Sequence, residues 1–205
     1  MGVPLPRDTA AGVAAIVEDV RAQGLPSGAR DVRWVRLDGL HLTLRFLGPS
    51  PEERIPATEA AVVSVARAAE GPIELELAGA GTFPPVGRPR TIWIGVAGDT
   101  AALGRLGQRT EEALVAAGWP PDPRPFRPHL TLARSDGVAV GPLVADRLVN
   151  AMAGNTIRCT IDHLGLFESV TGGGPARYVP VVLERLAATP PDATRVYHQT
   201  TPDPL

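Results

Sequence analysis

Two short segments of this chain are identical, His41-Leu42-Thr43-Leu44 and His129-Leu130-Thr131-Leu132. Imidazole titrates near neutral pH, so two histidines can divide a proton transfer, one taking a proton and the other giving one. A threonine hydroxyl can hydrogen-bond the non-bridging oxygens of a phosphodiester and hold the phosphorus in line. Two imidazoles and two hydroxyls around one point therefore match what phosphodiester cleavage needs, without a metal. A single His-x-Thr on a strand is ordinarily a half-exposed strand and nothing more. Repetition changes that balance, because the two copies carry half of the four histidines, each in the first motif position. His163 lies in an apolar strand and reads as structural, while His198 lies in the C-terminal tail and reads as solvated.

Side chains on a strand alternate between its faces. If each motif is a strand, His41 and Thr43 share one face and His129 and Thr131 another. Leu42, Leu44, Leu130 and Leu132 are then left for a core. Strands are expected at Val32 to Leu37, His41 to Leu47, Ile73 to Ala78, Thr91 to Ala97, His129 to Leu132, Thr156 to Glu168 and Arg177 to Leu186. Ser50-Pro51-Glu52-Glu53 reads as a helix start, with Ser50 as the cap, Pro51 at the first position and Glu53 completing a capping box. That helix places Ile55, Val62, Val63 and Ala66 on one side and ends near Gly71. Further helices are expected from Asp99 or Thr100 to Ala117, with Leu103, Leu106, Leu114 and Val115 inward, and from Pro142 to Met152. Gly79 to Pro89 and Pro120 to Pro128 read as loops, Gly172 to Gly174 as a turn, and residues 187–205 as a disordered tail. Each motif strand is followed by a helix and then more strand, a weak internal duplication. The expected fold is α+β, bilobal, with two pseudo-symmetric lobes of mainly antiparallel sheet and outer helices around a central cleft.

A chain of 205 residues with 44% hydrophobic content can build one core-bearing domain. No apolar run approaches the roughly 18 to 20 residues of a membrane span, and the N-terminus has no secretory h-region. The expected address is cytoplasmic, with no membrane partner. One cysteine, Cys159, excludes an internal disulfide and a zinc site built from cysteine pairs. The net charge of −2 does not suit a protein that coats long nucleic acid, so any RNA bound should be short or an end. All 20 basic residues are arginine. Arginine suits phosphate, but codon usage in a GC-rich genome explains the overall bias.

At the doubled motif and its flanks the sequence resembles the two-histidine phosphoesterase superfamily, specifically the bacterial and archaeal RNA 2′,3′-cyclic phosphodiesterases, also called the 2′-5′ RNA ligase family. The resemblance spans roughly residues 3 to 186. It is carried by Arg33-Trp34-Val35, Leu40 to Gly48, Phe126 to Arg134, Leu166 to Ser169 and Ala176-Arg177-Tyr178. It implies a cleft between two similar halves and opening of a 2′,3′-cyclic phosphate on RNA ends to a 2′-phosphate, with no cofactor. His41 would be the acid on the departing O3′ and His129 the base on water, and the two could exchange roles. Arg134 would balance phosphate charge, although strict alternation from His129 points it away from the cleft, so a bulge or strand end must redirect it. Arg45 has the right parity to join the substrate or to stay solvated. Phe46 could stack on a base or pack in the core. The resemblance also implies a first strand of about five or six residues ahead of Val3-Pro4-Leu5-Pro6. Only Met1 and Gly2 precede that segment, so the strand is expected to be truncated.

Three other readings remain open from the sequence. The same motifs would serve 2′-5′ linked oligonucleotides, cyclic nucleotides of ADP-ribose type, or the reverse, ligating direction. An RNA-end binding module without turnover would need the arginines but not two titrating imidazoles. A histidine metal site is the third, and threonine partners without a nearby carboxylate make a poor ligand set. A monomer is the default expectation.

Overall fold

In a computed structural model, residues 1–24, 32–136, 140–172 and 174–187 are described. The elements are β1 (Gly2–Pro4), α1 (Arg7–Ala22), β2 (Val32–Trp34), β3 (His41–Thr43), α2 (Ile55–Arg67), β4 (Ile73–Phe83), β5 (Thr91–Gly98), α3 (Thr100–Ala116), β6 (His129–Ser135), α4 (Val140–Met152), β7 (Thr156–Ile161), β8 (His163–Val170) and β9 (Arg177–Arg185). The fold is α+β, as expected. The strands form two antiparallel sheets, β3-β1-β8-β9 and β2-β6-β5-β4-β7. Helix α2 packs on β8 and β9 and against α3, while α1 and α4 pack together over β7, β4 and β5. Strands β3 and β6 belong to different sheets and still approach each other, which brings the two motifs together. No helix among the described residues is long and apolar enough to cross a membrane.

The motif leucines are in the core: Leu42 is 1% exposed, and Leu130 and Leu132 are fully buried. Leu44 packs partly buried against them. Full burial of one leucine is worth about 2 kcal/mol, so the leucines hold the motif strands in register. Helix α3 begins as read, with the Asp99 carboxylate accepting from Ala102 N at 2.8 Å, and Gly118 follows its end at φ 89°. Val115 on that helix is 43% exposed and lies outside the core.

Several expectations are corrected. Helix α1 was not anticipated, although Val13, Ile16, Val17 and Val20 repeat at helical spacing and three of these valines are fully buried. Ser50 does not cap α2. Its hydroxyl donates to Gly48 O at 3.0 Å, a 3₁₀ turn at Glu52–Arg54 intervenes, and Pro56 takes the early helical position. Strand β4 runs on through Gly79 to Phe83, where a loop was expected, because Gly79 adopts φ 65° within a bulge. The expected strand Thr156 to Glu168 is two strands in different sheets, broken at Asp162. Segment Gly2–Pro4 is itself a strand, lying between β3 and β8. Ala187 donates its amide to Ala66 O at 2.9 Å, and the tail expected beyond it, with His198, lies outside the described residues.

Strand β3 stops at Thr43, short of the expected Leu47. The amides of Leu44 and Arg45 both donate to Met1 O at 3.0 Å, and two donors on one carbonyl end the ladder. Arg45 then turns away from the motif face. Its guanidinium meets Glu111 Oε2 of α3 at 2.5 Å and donates to Pro120 O at 2.6 Å. Glu111 also accepts from Asp122 N at 2.7 Å. The first motif is thereby clamped to the loop that delivers the second. Arg45→Ala leaves Glu111 and a carbonyl without their buried donor, and the loss should be about 3 kcal/mol. Urea unfolding of this variant checks the value, and a midpoint equal to that of the parent would contradict the clamp.

Candidate active site

The two histidines are held in the same way. His41 Nδ1 lies 2.9 Å from Gly39 O, and His129 Nδ1 lies 2.6 Å from Arg127 O. A carbonyl oxygen only accepts, so in each ring Nδ1 carries the proton and donates it. Nε2 is left as the nitrogen available for chemistry, in both motifs. The acceptor is in each case the residue two positions earlier, outside the strand, so the turn before each motif sets the ring's orientation.

Aromatic rings flank each imidazole. Phe167 of β8 stacks on His41 at 5.1 Å and 18°, and Tyr178 of β9 meets it edge-on at 4.5 Å. Phe83 lies edge-on to His129 at 5.0 Å, with Trp93 at 6.4 Å. These rings sit close to backbone that carries no side chain. A Cβ on Gly165 would come within 2.9 Å of the Phe167 ring, and one on Gly81 within 2.6 Å of the Trp93 ring. Sequence reading assigned none of the four aromatics to the site, although Phe167 and Tyr178 lie in segments that carry the resemblance. Glycines alternating with aromatics along β4, β5 and β8 were the available signal.

The threonines flank the histidines as alternation requires. Thr43 is exposed and Thr131 half-buried, and no side-chain hydrogen bond occupies either hydroxyl among the described residues. Arg134 is rescued by a bulge. Trp93 pairs with Thr131 and Ile92 with Ala133, so Leu132 has no partner on β5. Leu132 and Ala133 are both buried, and alternation resumes with Arg134 exposed on the His129 face. Phe46 is 64% exposed, which excludes core packing and leaves its ring free to stack. Arg45 is the exception. The structure places it in the buried clamp with Glu111, apart from the other candidates. His163 sits half-buried with Nδ1 2.7 Å from Asp162 Oδ1, a local pairing in keeping with a structural role. The indentation bordered by Glu70, Asp99, Arg105 and Arg109 is lined by neither motif histidine, and both arginines there already hold Glu70 at 2.9 Å.

Burial beneath the aromatic rings pushes the His41 imidazole below its ordinary value of 6.5, against the opposing hydrogen bond to Gly39 O. His41 is therefore neutral in the free protein at pH 7, with an unprotonated Nε2. Removing the stacked ring in Phe167→Ala admits water and should raise the His41 titration midpoint. Histidine NMR titration of the two proteins reads this directly, and an unchanged or lower midpoint would show that desolvation is not the cause.

A family model described as the 2′-5′ RNA ligase superfamily matches residues 7–173. The chain is 42% identical over 102 residues to an RNA 2′,3′-cyclic phosphodiesterase of Geobacillus stearothermophilus, covering 49% of this chain and 32% of that one. It is 32% identical over 125 residues to an RNA 2′,3′-cyclic phosphodiesterase of Aeropyrum pernix, covering 61% of this chain and 66% of the relative. The matched regions thus span one third to two thirds of the length of these curated relatives. The crystal structure of E. coli LigT complexed with 3′-AMP is similar with a TM-score of 0.66 and 25% identity, over 90% of this chain and 95% of that one. The doubled motif, the two antiparallel sheets and these likenesses agree, and the chain belongs to the 2′-5′ RNA ligase superfamily.

Proposed function

We propose that this protein opens 2′,3′-cyclic phosphates at RNA ends to 2′-phosphates, using His41 and His129 as an acid–base pair and no metal. The observation that carries the reading is the shared tethering of both imidazoles through Nδ1, which leaves Nε2 free in each motif, on two strands that approach each other. Relatives named as RNA 2′,3′-cyclic phosphodiesterases, and the 3′-AMP complex of E. coli LigT, support the substrate class.

One Nε2 takes a proton from water as its oxygen bonds to phosphorus. The other gives a proton to O3′ as the phosphorus–O3′ bond breaks, leaving a 2′-phosphate and a 3′-hydroxyl. Thr43 and Thr131 donate to the non-bridging oxygens, and Arg134 offsets the charge that accumulates on them. Phe46 gives the terminal base a stacking surface. The lowered His41 value means that its ring is neutral before substrate arrives, so the order implied by the resemblance, His41 as acid on O3′ and His129 as base on water, has His41 gain its proton as the anionic phosphate binds. The ligating direction would exchange the two roles. Residues 1–186 would act as one unit in this scheme, as a cytoplasmic monomer.

Product analysis tests the reading. A short RNA ending in a 2′,3′-cyclic phosphate, with excess EDTA present, should yield a 2′-phosphate. Thr43→Val and Thr131→Val should each cost about 10- to 100-fold in kcat/KM. A 3′-phosphate product, or activity abolished by EDTA, would contradict the scheme.

A further inference from the structure

Many arginines of the described chain are neutralised locally: Arg36 by Asp38, Arg105 and Arg109 by Glu70, Arg124 by Asp122. Arg88, Arg90, Arg127 and Arg134 are not. All four are exposed, and among the described residues none has an ion pair or a side-chain hydrogen bond. They also gather around one motif. Arg127 is two residues before His129 and supplies the carbonyl that holds its ring. Arg134 lies past the bulge on the His129 face and pairs in register with Thr91. Arg90 precedes Thr91, and its carbonyl accepts from Ser135 N at 3.0 Å, so the Arg90 and Arg134 backbones lie on adjacent strands one residue out of register. Arg88 stands in the same turn, which opens just after Phe83, whose ring touches His129. Asp136, the carboxylate closest in sequence to Arg134, is engaged by Arg33 at 3.3 Å.

Four exposed, unpaired arginines on the segments that carry and adjoin the His129 strand, in a chain of net charge −2, concentrate positive charge on one region of the surface. The cyclic phosphate itself carries one charge and needs no such extent. That region fits a polyanion that continues past the reacting end. We propose that Arg88, Arg90, Arg127 and Arg134 form a track for the sugar–phosphate backbone of the RNA strand leading to the cyclic end, so that the preferred substrate is an oligonucleotide and not a mononucleotide. This rests on the function proposed above. Other unpaired arginines, such as Arg67 on α2, are dispersed over separate elements and provide a control.

The test separates binding from turnover. Binding of a fluorescent single-stranded RNA octamer with a 3′-phosphate is measured by anisotropy across a salt series. The octamer and cytidine 2′,3′-cyclic phosphate, both with cyclic ends, are compared for turnover. Arg88→Ala/Arg90→Ala should weaken octamer binding about tenfold and reduce the log–log salt slope by about 1.4, from roughly 0.7 per phosphate contact on a single strand. Turnover of cytidine 2′,3′-cyclic phosphate should stay unchanged, and Arg67→Ala should change nothing. Arg88→Glu alone provides a second variant with the rest of the turn intact. Octamer affinity within twofold of the parent in both variants, or an equal loss in Arg67→Ala, would overturn the track. Loss of binding in the variants, with no turnover by the parent protein on either substrate, would support the track and overturn the cyclic-phosphate reading instead.

Discussion

A histidine on a strand rotates about two torsions, and its two nitrogens cannot serve the same purpose at once. The cleft of this protein depends on how that freedom is removed. Gly39 O and Arg127 O each accept from an Nδ1, and each lies two residues before the ring it holds. That single interaction fixes the tautomer, the ring orientation and the identity of the free nitrogen. It also explains why each motif must begin a strand. The carbonyl has to sit in the preceding turn, where the chain can bend back toward the ring. The leucines then anchor the strand from the opposite face, so burial in the core and exposure in the cleft are set by one alternating pattern.

The two tethered rings would be of little use apart, and the chain spends a buried charge on keeping their supports together. Arg45 leaves the end of β3, which carries His41, and reaches Glu111 and Pro120 O, at the start of the segment that runs into His129. Phe167 and Tyr178 come from strands β8 and β9, far along the chain from the ring they cover. Each histidine therefore has a local tether and distant packing. The aromatic packing of His41 has an electrostatic consequence, because excluding water favours the neutral ring.

Much of the candidate site was readable before the fold. The identical motifs gave both histidines, both threonines and the leucines behind them, because a period of two needs only local sequence. Arg134 was readable in part. Its parity demanded a bulge, and the bulge lies at Leu132. Arg45 was not readable, because nothing near it in sequence announces Glu111, and an arginine of cleft parity looks the same whether it meets substrate or a distant carboxylate. The change of sheet at Asp162 was hidden for a similar reason: a continuous apolar run does not say which partners its halves will find. Helix α1 was legible in Val13, Ile16, Val17 and Val20 and was overlooked.

The central claim is that two imidazoles act in one transition state. The most direct measurement is turnover of an RNA cyclic end by His41→Ala, His129→Ala and the double variant, each shown by circular dichroism to be folded. The account predicts that each single change lowers kcat by about 1000-fold or more, and that the double variant is little worse than either, as for residues that act as a unit. A folded single variant with turnover near that of the parent would contradict it.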